Sequence, residues 1–254
     1  MFHLSEPDWD GMDLNRTKPP GNPVILQTWH DLIFCHARLP VENLRTLVPS
    51  SLTIEEFDGS GWLGFVPFRM SGLRNPRAPA VPWLSSFYET NVRTYVTHPE
   101  HGPGVWFFSL DAASRVAVRV ARLTFNLPYM DAKMAMDRPQ HDTIAYQSKR
   151  THRGEPAAEY DASYSAAGEF FKAKPGSLEY WLTARYCLYS ANRSGRIFRG
   201  EIDHPPWSLA PATYTERTNT MGKPFGFEFQ GKPHLLCAKP VDVRAWLATR
   251  CEDR

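Results

Sequence analysis

Residues 87–97, FYETNVRTYVT, carry the clearest strand signal in the chain. Strict alternation places Tyr88, Thr90, Val92, Thr94 and Val96 on one face and Glu89, Asn91, Arg93 and Tyr95 on the other. That second face is either solvated or the wall of a polar cavity. Before it, ILQTWHDLIFCHARLP alternates weakly and reads as strand, and VENLRTLVPSSL reads as a short helix with Leu44, Leu47 and Val48 on one face. FDGSG is a turn into the strand WLGFVPFRM, where Pro67 predicts an edge or a bulge, and the proline-rich residues 74–85 predict a loop. After it, VWFFSLD is an apolar strand leading into AASRVAVRVARLTF. Ala113, Val116, Ala117, Val120 and Ala121 recur there at helical spacing, with Asp111 as the expected N-cap, although Val116, Val118 and Val120 would also suit a strand.

The remainder is again strand-rich. KMAM, TIAYQSKRT, EYDASYSAA, GRIFRGEID and PHLLCAKPVDV read as strands, and GSLEYWLTARYCLY reads as one more helix. A few helices among many closely spaced strands predict an α+β fold, a barrel or strongly curved sheet in preference to a parallel α/β arrangement. Residues 1–23, punctuated by proline and glycine, are expected to form an extended arm, residues 24–248 a single domain and residues 249–254 a polar tail.

The charge balance narrows the partners. Lys and Arg total 29 against 27 Asp and Glu, and a formal charge of +2 supplies no field that points to nucleic acid. No run of about 18 apolar residues predicts a membrane span, and the amino terminus lacks the apolar core of an export signal, so a cytoplasmic protein is expected. Four widely spaced cysteines, Cys35, Cys187, Cys237 and Cys251, form no C-x-x-C pair and are expected to be reduced thiols. His30 and His36 would share a strand face, and HPEH puts His98 and His101 in a turn, but neither spacing matches a known ligand pattern, so no metal is expected. There is no G-x-S-x-G elbow and no glycine-rich nucleotide fingerprint, so no cofactor is expected either.

One constellation carries chemistry: Glu89, Asn91 and Arg93 on a strand face, with Arg122, Asn126 and Tyr129 in ARLTFNLPYMDAKM. A carboxylate and a guanidinium two positions apart on one face are close enough to pair, and a second arginine could grip an anion bidentately. The same residues on an open surface would form ion pairs worth little.

Taken in order, the segments WHDLIFCHARLPVENLRTLVPSSLTIEEFDGSGWLGFVPFRM, FYETNVRTYV, GVWFFSLDAAS, ARLTFNLPYMDAKM, LTARYCLY and FRGEIDHPPWSL resemble the YqjF-like family, bacterial proteins whose domain has no assigned function. The resemblance spans residues 27 to about 246. That family is distantly similar to the acetoacetate decarboxylase-like superfamily, which implies a mostly antiparallel β-barrel or cone around a central cavity, with helices packed outside. In the decarboxylases an arginine, a glycine and a proline precede two lysines, one of which forms a Schiff base with a keto acid. Over RLTFNLPYM, Arg122 takes the arginine position, Asn126 the glycine and Pro128 the proline, while Tyr129 and Met130 stand where the lysines would be. Tyrosine cannot form an imine, so Schiff-base decarboxylation is not expected unless Lys133, four residues on, substitutes.

The resulting expectation is a pocket for a small organic acid or carbonyl compound. Arg93 and Arg122 would hold the anionic or carbonyl group, Glu89 would orient an arginine or act as base, and Tyr129, Asn91 and Asn126 would supply hydrogen bonds. His204, ahead of Pro-Pro-Trp, is a further candidate, its alternative role being a turn residue packed on Trp207. Trp62, Phe107 and Tyr186 would wall the cavity or simply fill the core. The activity is either that of an enzyme, a lyase, hydratase or isomerase, or that of a non-catalytic carrier or sensor on a former enzyme fold. A homodimer is compatible with the sequence, although no residue argues for one.

Overall fold

A computed structural model describes residues 19–81, 84–192, 194–227 and 231–251. The extended arm expected over residues 1–23 therefore lies almost wholly outside the described residues. From the amino end run β1 (Ile25–His30), β2 (Leu32–Leu39), α1 (Val41–Arg45), β3 (Thr53–Ile54), β4 (Gly61–Arg74), β5 (Phe87–His98) and β6 (Gly102–Ala112). They are followed by α2 (Arg115–Phe125), β7 (Tyr129–Gln140), β8 (Thr143–Arg150), β9 (Glu159–Ala166) and α3 (Leu178–Thr183). The chain ends with β10 (Cys187–Ala191), β11 (Ile197–Asp203), β12 (Leu209–Asn219), β13 (His234–Ala238), β14 (Val241–Ala245) and β15 (Thr249–Arg250).

Three strands form a shared wall. β5 pairs antiparallel with β4 on one side and with β6 on the other. The outer edge of β4 is divided between β2, over Gly61–Phe65, and β1, over Arg69–Arg74. The outer edge of β6 is divided in the same way, pairing in parallel with β10 at Val105–Trp106 and with β7 at Leu110–Ala112. Two closed circuits of pairing result: β4-β2-β13-β12-β9-β8-β7-β6-β5, and β4-β1-β14-β11-β10-β6-β5. The mostly antiparallel barrel or cone expected from the sequence thus takes the form of strand rings sharing one wall.

Period-two alternation sends the wall's two faces to different interiors. Leu63, Phe65, Val92 and Val96 pack with Phe108, Tyr146, Tyr160 and Tyr164 into a solid core inside the larger circuit. Val66, Phe68 and Met70 point the other way and pack with Leu32, Phe34 and Trp207. Fully burying each such side chain stabilises the fold by roughly 1.5–3 kcal/mol.

Several local expectations are corrected by this packing. Pro67 lies neither at an edge nor in a bulge of its β5 pairing; it stands opposite Thr90, between the stretch of β4 paired with β2 and the stretch paired with β1. A missing N–H is tolerated where the outer edge changes partner. The corner that causes the change is Asp31, in the left-handed region at φ 57°, which also puts His30 and His36 on separate strands. Asp111 is a residue of β6, not the N-cap of α2; Ser114 caps that helix, its side chain accepting from the Ala117 amide. The helix expected over residues 176–189 stops at Thr183, and Cys187 onward is strand. β12 was not foreseen, because LAPATYTERTN leaves most of its side chains exposed or half-buried and contains Pro211. The carboxyl-terminal segment is not simply a polar tail: Thr249–Arg250 pairs with β11 and Cys251 is buried.

Candidate functional site

A cavity of about 480 Å³ lies on the second face of the wall. Its lining comes from β1, β2, β4, β5 and β6, from α2 and from the segments around β10 and β11. The alternation of β5 delivers Glu89, Asn91 and Arg93 to it, and the parallel pairing of β7 beside β6 delivers Tyr129. His204 lines it as well. Five of the residues singled out from the sequence therefore meet in one place.

Glu89 is buried, and its carboxylate accepts a 3.0 Å hydrogen bond from the Tyr129 hydroxyl. Burial pushes its pKa up to about 8, against the lowering effect of that hydrogen bond and with a small further push from Asp111. The Tyr129 phenol is in turn held well above its ordinary range, first by burial and then by the nearby Glu89 charge. Near neutral pH the pair is thus two hydrogen-bonding groups that retain their protons.

Arg93 does not pair with Glu89 as expected. Four residues at about 3.3 Å each separate their Cα atoms by roughly 13 Å, with Asn91 between them. Its guanidinium lies 5.4 Å from the Phe34 ring centroid and 5.7 Å from that of Tyr95, and it makes a long 3.5 Å contact to the Leu182 carbonyl. Among the described residues it has no carboxylate partner, and its Nε is buried without an acceptor. Gly64 makes room for this arrangement: a Cβ there would lie 3.0 Å from the His36 ring and 3.4 Å from Arg93 Cγ. Two further cavity-lining residues carry buried polar atoms without partners among the described residues, Oδ1 of Asn91 and Nε1 of Trp29. Such groups each cost about 1–3 kcal/mol when left unsatisfied, more for a charge.

Arg185, also on the cavity wall, is already committed. It donates to Glu55 at 2.5 Å and to the Trp181 carbonyl at 2.7 Å, and it lies over the Tyr95 and Trp181 rings. Nothing in the sequence separated it from other arginines, since its partner is 130 residues away. His204 bonds through Nδ1 with the Pro205 carbonyl at 2.8 Å and makes tilted ring contacts with Tyr186 and Trp207. It packs on Trp207 and also lines the cavity. Phe107 walls the cavity, whereas Trp62 belongs to the core around Leu182, and Tyr186 is buried.

Two expected residues lie elsewhere. Arg122 is exposed on α2, where it donates to the Tyr129 carbonyl at 2.6 Å and so ties the helix to the start of β7. Asn126 is the left-handed C-cap of α2, at φ 51°, and does not line the cavity. Both hold the turn that presents Tyr129, because helical spacing points Arg122 along the turn and the cap must reverse the chain. Lys133 is exposed on β7 opposite Lys149, since strand and not helix follows Pro128. No lysine lines the cavity among the described residues.

Away from the cavity, His98, His101 and Cys251 form a group whose ligand atoms all lie within 4.8 Å of one another. Sequence spacing missed it because β15 brings Cys251 from the far end of the chain. Among the described residues it lacks a fourth protein ligand of the kind closed zinc sites use. All four cysteines are buried, and no disulfide joins them.

With this geometry established, comparison with known proteins places the chain. The DUF2071 family model, described as an uncharacterized conserved protein, matches residues 26–242. The chain belongs to that family. A relative, the uncharacterized protein YqjF of Bacillus subtilis (strain 168), is 39% identical over 233 residues, covering 91% of this chain and 94% of YqjF. Among solved structures, the enduracididine biosynthesis enzyme MppR complexed with pyruvate matches with a TM-score of 0.64 at 12% identity, over 92% of each chain. An acetoacetate decarboxylase-like enzyme from Sphingomonas wittichii RW1 gives 0.60 at 11% identity, over 92% of this chain and 95% of that one. Acetoacetate decarboxylase from Legionella pneumophila subsp. pneumophila gives 0.57 at 13% identity, over 96% and 94%. At such identities the likeness establishes the fold alone: this DUF2071 protein has an acetoacetate decarboxylase-like fold. Among its described residues no helix is long and apolar enough to cross a membrane.

Proposed function

We propose that the cavity binds a small organic acid or carbonyl compound without forming a Schiff base. The observation that carries this reading is Arg93, a guanidinium on the cavity wall with no carboxylate partner among the described residues. A charge so placed is stabilised when an anion reaches it, and the fork of a guanidinium suits a carboxylate. Asn91 beside it offers an acceptor, and Tyr129 with Glu89, both protonated near neutral pH, offers a proton donor to a carbonyl. The neighbour MppR, complexed with pyruvate, supports an acid of that general kind. An imine is excluded from the reading because the residue following Pro128 is Tyr129 and no described lysine faces the cavity.

Borohydride treatment in the presence of several keto acids, followed by intact-mass measurement, is expected to leave the chain unmodified. A lysine-located adduct would overturn the no-imine reading. Binding of the same acids, followed by tryptophan fluorescence since Trp29 and Trp207 line the cavity, is expected to weaken at least tenfold in Arg93→Gln. Unchanged affinity would remove Arg93 as the anchor. Tyr129→Phe separates an enzyme from a carrier: an enzyme loses turnover and keeps most of its affinity, whereas a carrier has no turnover to lose.

A further inference from the structure

The shape of the cavity narrows the ligand class, on the condition that the acid-binding reading above holds. We infer that the ligand is a carboxylic acid with a long apolar tail, its head group on Arg93 and its tail directed toward α2. Three independent features carry this.

The first is size. A cavity of about 480 Å³ falls within the range of roughly 300–1,000 Å³ that accommodates drug-sized molecules, well beyond a keto acid of about six non-hydrogen atoms. The second is the distribution of polarity. Arg93, Asn91, Glu89 and Tyr129 lie on the β5 side, whereas Phe68, Met70, Leu73, Val116, Ala117 and Val120 offer only carbon. A short acid would satisfy Arg93 and leave that carbon surface against water. The third is the rim. Val81, Val116 and Val120 line the cavity while being 38%, 50% and 53% exposed, so the cavity opens to solvent across a border that carries these valines beside exposed Arg74 and Asn75. A long tail would cover these valines, which are otherwise in contact with water.

Three arginines line the cavity, Arg74, Arg93 and Arg185. Arg185 is neutralised by Glu55, and Arg74 is exposed and donates to the Gly72 carbonyl, so Arg93 is the half-buried guanidinium that has no carboxylate partner among the described residues and takes the head group.

The test is a homologous series of straight-chain monocarboxylates, from two to ten carbons, titrated at pH 6.5 by tryptophan fluorescence. Affinity is expected to rise about fourfold per added CH₂ until the cavity is filled, and then to level off. Arg93→Gln should lower the affinity of every member by a similar factor and keep the dependence on length, a result that also reports intact folding. Val120→Asp, on the exposed side of α2, should weaken the long acids and leave the short ones unchanged. If two- and three-carbon acids bind as tightly as ten-carbon acids, the long-tail inference falls and acid binding survives. If no acid of any length binds, or if matched alcohols bind equally well, the acid-binding reading itself falls and takes this one with it.

Discussion

Glu89 is a carboxyl group whose environment favours the proton. It is buried beside an uncharged phenol, and the one other charge that acts on it noticeably, Asp111, is of the same sign. A pKa raised to about 8 in the folded chain, from about 4.3 unfolded, has a definite consequence for pH dependence. The folded state binds the proton more tightly, so the contribution to stability is fully present below about pH 4.3 and is lost as the pH rises toward and through 8. Glu89→Gln keeps a neutral side chain of the same shape at every pH. Urea unfolding at a series of pH values should therefore show the wild type losing ground against the Gln variant between pH 5 and 9. Carboxylate affinity should also fall in the wild type as pH passes 8, because a second anion then forms in the cavity, and should stay level in Glu89→Gln. A wild type that titrates in parallel with the variant would mean that Glu89 is already ionised.

At the scale of the element, the turn from α2 into β7 decides where Tyr129 stands. Asn126 at φ 51° ends the helix, Leu127 is buried, and Arg122 donates to the Tyr129 carbonyl. The overlay on the decarboxylase segment puts a glycine at position 126, and the left-handed backbone there explains why glycine or asparagine suits it. Asn126→Gly should change stability by no more than a few tenths of a kcal/mol, while Asn126→Val should cost about 1–2 kcal/mol. Chemical denaturation compares the two, and equal effects would show that the turn does not depend on this conformation. The same segment shows how far the sequence could be read. Alternation over residues 87–97 was enough to assign Glu89, Asn91 and Arg93 to one face, because the strand's period is fixed by its geometry. It could not choose between cavity and solvent, although the same strand geometry already sets Glu89 and Arg93 too far apart to pair. Arg122 and Asn126 were read as ligand groups because a linear motif shows which residues are near a site and not which way they point. Arg185 and the His98, His101 and Cys251 group were illegible, since each depends on a contact with a distant part of the chain.

At the scale of the whole molecule, the wall of β4, β5 and β6 separates a cavity from a packed core, and each face carries a buried charge. On the core face Arg150 grips Asp111 bidentately at 2.7 and 2.8 Å and also donates to Ser109 at 2.9 Å. Both side chains are almost inaccessible, at 2% and 0% exposure. Burying two charges costs several kcal/mol that their attraction only partly returns, whereas removing one partner strands the other. Asp111→Ala should accordingly destabilise the fold by about 3–5 kcal/mol, and Asp111→Leu combined with Arg150→Met should recover most of that loss. The double variant then tests whether the two faces are electrically linked. Asp111 is one of the influences that raise the Glu89 pKa from across the wall, so its removal should move the pH midpoint of carboxylate binding below that of the wild type. A folded double variant with an unmoved midpoint would assign the elevation of Glu89 to burial alone. A midpoint displaced downward would mean that the charge inside the packed ring helps to set the protonation state of the acid in the cavity ring.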